Sequence, residues 1–375
     1  MTLRFLARGA GALLVLAALA ACSSKPKAPE PAPLPPSAQL MGTRQAWTVQ
    51  VGESPVGLSP VFAGGRVFAA GASGTVVAID AGTGAEAWRA SLGTPLSAGV
   101  GSDGVTAAVI TRDNHLVAVR DGRELWRQRL AARSFTAPLV AGQRVFVLTA
   151  DRSVSAFDAG NGARLWTQTR TADPLVLNQP GALLAVGDTL VAGLSGRLAG
   201  LNPDNGAVRW EAPLASPRGT NEVERLVDIV GPAGRLGGSV CARAFNAAVG
   251  CVDATRGSVV WSRPAQGTTG IHGDDRLVFG TESDGRVLAW RRESGEPAWT
   301  SERLKYRTLG APLALGRVVA IADSNGLVHL VSREDGTEMT RLSTDGSPIV
   351  ATPLLAGDAL VVQTRNGGLF AWRPQ

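Results

Sequence analysis

This chain has little with which to do chemistry. Its 375 residues include three cysteines, three histidines and one tyrosine. His115, His272 and His329 have no metal-ligand spacing with one another or with the cysteines, so no metal centre is expected. No serine sits in a nucleophile elbow. Glycine is abundant, but it falls at turns and forms no phosphate-binding loop. The acidic pairs Asp274–Asp275 and Glu334–Asp335 also lie in turns, where solvated carboxylates are the ordinary case. No catalytic residue and no cofactor is therefore expected. Beyond the first 22 residues no stretch carries a long apolar pattern of helical period, which argues against helical architectures. Charge of one sign is thin too. The formal net charge is +6, and it falls to +4 without Arg4 and Arg8 of the leader. The basic residues are scattered, so nucleic acid is not an expected partner.

What the chain does have is a beat. Trp88, Trp126, Trp166, Trp210, Trp261 and Trp299 recur at about forty-residue intervals, each after a glycine-centred turn. The turns read Asp80-Ala-Gly-Thr-Gly84, Asp158-Ala-Gly-Asn-Gly162 and Asn202-Pro-Asp-Asn-Gly206. The aspartate or asparagine oxygen accepts from backbone N–H groups inside such a turn, and glycine tolerates positive φ. A short strand precedes each turn and another begins near the tryptophan. Two further apolar runs fill the interval, as in Pro60-Val-Phe-Ala and Arg66-Val-Phe-Ala-Ala. Four short strands per unit make a propeller blade. Each tryptophan, packed over the next blade, would bury roughly 150–250 Å². At ~25 cal/mol/Å² that is on the order of 4–6 kcal/mol as an upper bound.

The ends count the blades. Asn366-Gly-Gly-Leu-Phe-Ala-Trp372-Arg matches the third strand of a unit and then stops. Arg44-Gln-Ala-Trp47-Thr-Val-Gln-Val51 matches a fourth strand with no unit before it. Joined, the two termini complete one blade and remove the exposed edges of an open ring. The expected fold is thus all-β: an eight-bladed β-propeller of four-stranded antiparallel blades over residues 39–375. Met339 stands where the seventh unit's tryptophan is due, and the step from Trp210 to Trp261 is stretched by about ten residues. The surplus lies around Ser216 to Leu236, and an insertion of that kind maps to a loop on one face.

Residues 1–21 read as a secretory leader. Arg4 and Arg8 form a basic start, Ala10 to Ala21 an apolar core, and Leu19-Ala20-Ala21-Cys22 the end. The leader resembles bacterial lipoprotein signals, in which the cysteine is acylated. That resemblance implies lipidation at Cys22, and Ser23 after it implies passage to the outer membrane on its periplasmic side. Residues 22–38, rich in proline, lysine and alanine, read as a disordered tether. Cys241 and Cys251 lie on successive strands of the fifth unit, and a hairpin near Asn246 places them opposite one another. In an oxidising compartment that favours a disulfide over two buried thiols.

The turn-plus-tryptophan repeat resembles the propeller of the pyrroloquinoline-quinone (PQQ) dehydrogenases. Those enzymes carry an adjacent cysteine pair at the cofactor, whereas Cys241 and Cys251 are ten positions apart. A quinone-dependent periplasmic dehydrogenase therefore stands as the alternative function, with a generic envelope scaffold as a third. Leader, tether and eight blades together resemble the BamB family of outer-membrane assembly lipoproteins. That resemblance implies a non-catalytic scaffold that binds the periplasmic POTRA domains of BamA, within the machinery that inserts β-barrel proteins into the outer membrane. Two segments carry the closer match. In Asp173-Pro-Leu175-Val-Leu177-Asn178 the family has a Leu-x-Leu-Arg loop. Leu175 and Leu177 match it and Asn178 departs from the arginine. In the stretched interval, Glu222, Glu224, Arg225, Leu226 and Asp228 match an acidic family segment, while Val230 replaces its last acidic position. The resemblance makes Leu175, Leu177, Asn178, Glu222, Glu224, Arg225 and Asp228 candidate partner-binding residues. Two leucines two apart, if extended, point to one side and form an apolar anchor, and nearby carboxylates make a polar rim. Core packing for the leucines and a solvated loop for the acidic run are the alternatives.

Overall fold

A computed structural model describes residues 29–375 except 56, 171–174, 217–219 and 221–225. Among these residues thirty-two strands pair into eight four-stranded sheets. Seven sheets are continuous in sequence, spanning residues 61–91, 96–129, 139–168, 183–213, 229–264, 272–301 and 313–343, and are called blades 1 to 7. Blade 8 takes three strands from residues 354–374 and its outermost strand, Thr43–Gln50, from the other end of the chain. That strand pairs antiparallel with Gly368–Pro374, from Thr43↔Pro374 to Gln50↔Gly368. The ring is an eight-bladed β-propeller closed through both termini, as the orphan Trp47 predicts.

Burial grades outward within a blade. In blade 1 the second and third strands, Arg66–Ala70 and Thr75–Asp80, are buried along most of their length, while the outermost, Glu86–Ser91, is largely exposed. The middle strands lose both faces to neighbouring blades. This explains why they read as unbroken Val, Ala and Ile runs without alternation.

The seams between blades explain the repeat. Trp47 lies over the outer turn of blade 1, where a Cβ on Gly84 would come within 2.6 Å of its side chain. Trp126 stands in the same relation to Gly162 of blade 3, again at 2.6 Å. Gly84 has φ 78° and Gly162 φ 75°, so these positions need glycine both for conformation and for room. The indole N–H also donates into the same turn, from Trp47 to Ala81 O at 3.0 Å and from Trp126 to Ala159 O at 2.9 Å. The turn is held by its aspartate: Asp80 Oδ1 accepts from Thr83 N at 2.8 Å and from Thr83 Oγ1 at 2.7 Å. Met339 breaks the pattern because blade 8 has no such turn. Its two outer strands belong to different chain ends, and Gln375 N donates to Gly42 O at 3.1 Å where the turn would be. With no glycine turn to lie against, Met339 instead packs beside Met41 and Trp372.

The composition of residues 22–38 implies a free tether; residues 22–28 lie outside the described residues, and from Ala32 onward the chain is held against the ring. Ala32 N donates to Lys305 O at 2.9 Å, and Leu34 packs against the apolar cluster containing Leu304 and Leu309. Ser37 Oγ accepts from Arg341 N at 3.1 Å, and Leu40 N donates to Met339 O at 2.8 Å. From Ala32 onward the segment is a strap along the outermost strand of blade 7, Glu338–Ser343. The physical reason is that this strand offers unpaired backbone groups at a sheet edge, which proline-rich chain can cover without forming a regular ladder.

Blade 5 is reinforced from within. Cys241 pairs directly with Cys251 across neighbouring strands, and the two are joined in a buried disulfide with Cα atoms 3.9 Å apart. Beside it Arg243, fully buried, reaches Glu282 of blade 6 at 2.9 Å. Burial pushes the Arg243 guanidinium down from its usual value, and Glu282 opposes that shift. Breaking such a pair by removing one partner leaves a buried charge unanswered.

Candidate functional site

The up-and-down order of strands gives the ring two unlike faces. Turns between first and second strands, and between third and fourth, share one face, here called the turn face. Turns between second and third strands share the opposite loop face with the connections from blade to blade. The connection from Ser91 to Leu96 has four residues, but that from Gln168 to Leu183 has fourteen and that from Pro213 to Ile229 fifteen. These two long connections are neighbours on the loop face, flanking blade 4, and they contain every candidate partner-binding residue.

Leu175 and Leu177 lie in no strand and are half-buried, and Asn178 is exposed. The leucines are neither swallowed by the core nor free in solvent. Their backbone is clamped. Asp228, at the end of the second long connection, accepts from Leu177 N at 3.0 Å through Oδ2. Its Oδ1 lies 3.0 Å from Nη2 of Arg152, and the same guanidinium nitrogen donates to Leu175 O at 3.2 Å. One carboxylate and one guanidinium thus hold the segment at both leucines and tie blade 3 to both long connections. A cavity of ≈ 50 Å³ lies beneath, lined in part by Leu148, Leu177, Asp228 and Ile229. It has room for a few water molecules.

This geometry changes the place of one candidate. The acidic match puts Asp228 among solvated rim carboxylates, but its side chain is 15% exposed and committed to Arg152 and Leu177. It shapes the Leu175–Leu177 segment from below. Val230 is 2% exposed and paired with Arg243 in the ladder, so an acidic residue there would be inside the sheet. Glu222, Glu224 and Arg225 lie outside the described residues.

Arg152 was not singled out by its residue type, yet the repeat carries a signal for it. It occupies the position of Gly74 in the first unit, between second and third strands. Gly74 has φ 106° and Arg152 φ 61°. A long side chain in the left-handed region, where most other blades place glycine or asparagine, costs about 1 kcal/mol or more and needs compensation. The contacts with Asp228 and Leu175 supply it.

Elsewhere the titratable groups serve packing. Asp323 and His329 are both 1% exposed, and Asp323 Oδ2 meets Arg307 at 3.0 Å and His329 Nε2 at 3.1 Å. Burial raises the Asp323 carboxyl, but hydrogen bonds from His329 and from Leu327 N outweigh it and hold the group below its usual range. His272 Nδ1 accepts from Ala314 N at 3.2 Å, and burial, aided by Arg292, lowers its pKa. Among the described residues no three His, Cys, Asp or Glu side chains cluster as metal ligands do.

The comparisons with known proteins agree on one family. The family model described as outer membrane protein assembly factor BamB matches residues 41–94 and 72–301. An outer membrane protein assembly factor BamB from Burkholderia pseudomallei is 39% identical over 376 residues, covering 99% of each chain. The protein of that name from Bordetella pertussis is 36% identical over 373 residues, 98% of this chain and 97% of its own. The crystal structure of BamB from Moraxella catarrhalis superposes with a TM-score of 0.81 at 25% identity, covering 88% of this chain and 100% of that one. A quinohemoprotein alcohol dehydrogenase from Comamonas testosteroni reaches a TM-score of 0.68 at 14% identity, over 89% of this chain and 77% of that one, which is a likeness of fold alone. The repeats matched by the family model and the relatives aligned almost end to end place this chain in the BamB family of outer membrane protein assembly factors.

Proposed function

We propose that this protein is a non-catalytic scaffold subunit of the outer-membrane protein assembly (BAM) complex. It is anchored to the periplasmic face of the outer membrane through acylated Cys22, and its loop face binds the POTRA domains of BamA. The observation that carries this reading is the clamped Leu175–Leu177 segment. Its two half-buried leucines are fixed by Asp228 and Arg152, so little ordering remains to be done when a partner covers them. Asn178 stands exposed beside them, and Glu222, Glu224 and Arg225 follow in the neighbouring connection, where their charges would steer and orient a basic partner surface.

A rigid ring suits this task. Binding to BamA would hold the periplasmic arm in one orientation and assist barrel insertion without a chemical step. The alternative, a quinone-dependent dehydrogenase, meets an obstacle in the cysteines. The resemblance calls for an adjacent pair at a central cofactor, and Cys241 and Cys251 face each other across two strands inside one blade. The test is co-purification of BamA with the Leu175→Glu/Leu177→Glu variant. Loss of BamA with an intact thermal unfolding transition is expected, and undiminished BamA would remove the proposed interface.

A further inference from the structure

The turn face carries a charged cleft at the seam of blades 4 and 5, on the side of the ring opposite the leucine segment. A cavity of ≈ 560 Å³ opens there, lined by Asp188, Thr189, Arg209, Arg235, Thr255 and Arg256 among others. The three arginines are not equivalent. Arg209 is answered by Asp188, with Nη1 3.0 Å from Oδ1, and it also donates to Thr189 Oγ1 at 2.8 Å. Arg235 spends its bonds on neutral carbonyls. Its Nη1 donates to Ala185 O of blade 4 at 2.7 Å and its Nε to Gly237 O of blade 5 at 3.3 Å. These bonds hold the guanidinium across the seam without neutralising it. Arg256 is 83% exposed on its side chain and stands 3.7 Å from Asp253 Oδ2. The other oxygen of Asp253 is committed to its own turn, accepting from Thr255 N, Thr255 Oγ1 and Arg256 N. Next to the arginines in sequence, Val208 and Leu236 are 41% and 44% exposed.

We propose that this cleft is a second docking site, and that it takes an acidic, extended segment of a protein partner. Two carboxylates of the segment would meet Arg235 and Arg256, and an aliphatic side chain between them would cover Leu236. Guanidinium groups suit carboxylates because their paired N–H donors match the two carboxylate oxygens. Arg235 is oriented before any ligand arrives, which lowers the ordering cost of binding. An anionic membrane headgroup would satisfy the same charges, but the strap argues for a peptide. The chain leaves the ring at Ala32 beside Lys305, on the loop face. From there the ten residues back to Cys22 span at most about 36 Å. With the anchoring proposed above, the chain departs for the membrane from the loop face, and the cleft opens on the other face. The choice of occupant rests on that reading, whereas the cleft does not.

The test uses the full mature chain in neutral detergent with fluorescein-labelled hexaglutamate as probe, read by anisotropy at low ionic strength. Saturable one-to-one binding is expected. Arg256→Gln should weaken it about tenfold, and Arg235→Gln/Arg256→Gln by about tenfold again, as expected for charge-assisted hydrogen bonds. Arg123→Gln, an exposed arginine on the turn face of blade 2, should leave it unchanged. Arg256 is exposed enough that its single variant keeps the fold even if the double variant does not. Binding equal in wild type and Arg256→Gln overturns the site. Displacement by glycerol phosphate at lower concentration than by unlabelled hexaglutamate overturns the peptide in favour of a headgroup. Co-purification of BamA with Arg256→Gln should be unchanged, so failure here and failure of the loop-face interface are read separately.

Discussion

The two faces of this ring solve different problems with different parts of the sequence. On the turn face, the Asp/Asn-to-glycine turn recurs, an indole from the preceding blade lies on the glycine, and the reward is inter-blade packing. On the loop face the inner turns repeat a left-handed position, but the connections between blades do not repeat. The connection after blade 1 has four residues and that after blade 4 has fifteen. The side chains that matter there, Arg152 and Asp228, are 76 positions apart. Repetition gives a scaffold its rigidity, and departure from repetition gives it an address. The arginine cleft bends this rule, since Arg235 and Arg256 add a specific surface to the turn face itself.

The contrast is open to direct attack, beginning with the seams. Trp126→Ala should cost about 3–5 kcal/mol in denaturant unfolding, as for other buried large aromatics, while BamA still co-purifies with the folded fraction. A loss below about 1 kcal/mol would mean that the indole seams do not carry the stability assigned to them. The disulfide comes next. Cys241→Ala/Cys251→Ala opens a short loop and should lower stability by about 2–3 kcal/mol on the chain-entropy model. Measuring unfolding of wild type with and without reductant checks the same quantity.

The clamp sharpens the comparison at smaller scale. Arg152→Ala and Asp228→Ala should each destabilise the chain modestly and each weaken BamA co-purification. The double variant should fall short of their sum by about 0.5–3 kcal/mol, because the two act as one unit. Strict additivity would show that they do not. The smallest effect is on pH. His272 has its folded pKa depressed below the reference value of 6.5 by burial, so the unfolded chain binds its proton first. Stability from this group is therefore complete above pH 6.5 and declines as pH falls below it. In His272→Gln the stability lost between pH 7 and pH 5 should be smaller than in wild type.

Much of this fold is written in local pattern. The tryptophan spacing and the turn glycines report blade number, because an indole on a glycine turn is a short-range requirement met at seven seams, and the orphan strand at Trp47 reports ring closure. The Cys241–Cys251 pairing is legible for the same reason, as both lie on one hairpin. The stretched interval after Trp210 correctly marks an unusual loop. What it does not tell is the fate of a carboxylate inside it. Asp228 reads as a solvated acid because its partner, Arg152, comes from another blade, and a pairing between blades leaves no local trace. Arg152 itself was visible only as a misfit where glycine recurs. Met339 reads as a lapse in the beat until the missing turn of blade 8 is seen. The strap escapes composition altogether, since proline-rich chain binds here by single hydrogen bonds to an edge and needs no pattern of its own.

Ring closure sets an order of events. Among the described strands Thr43–Gln50 is the earliest in the chain, yet its partner Gly368–Pro374 is the latest. During synthesis the earlier strand must wait unpaired, a bare edge open to wrong partners, until its partner has been made. The closing contact spans almost the whole sequence and is the slowest kind to form. Loss of Gly368–Pro374 would therefore leave Thr43–Gln50 without its partner, so damage near residue 370 is felt near residue 45.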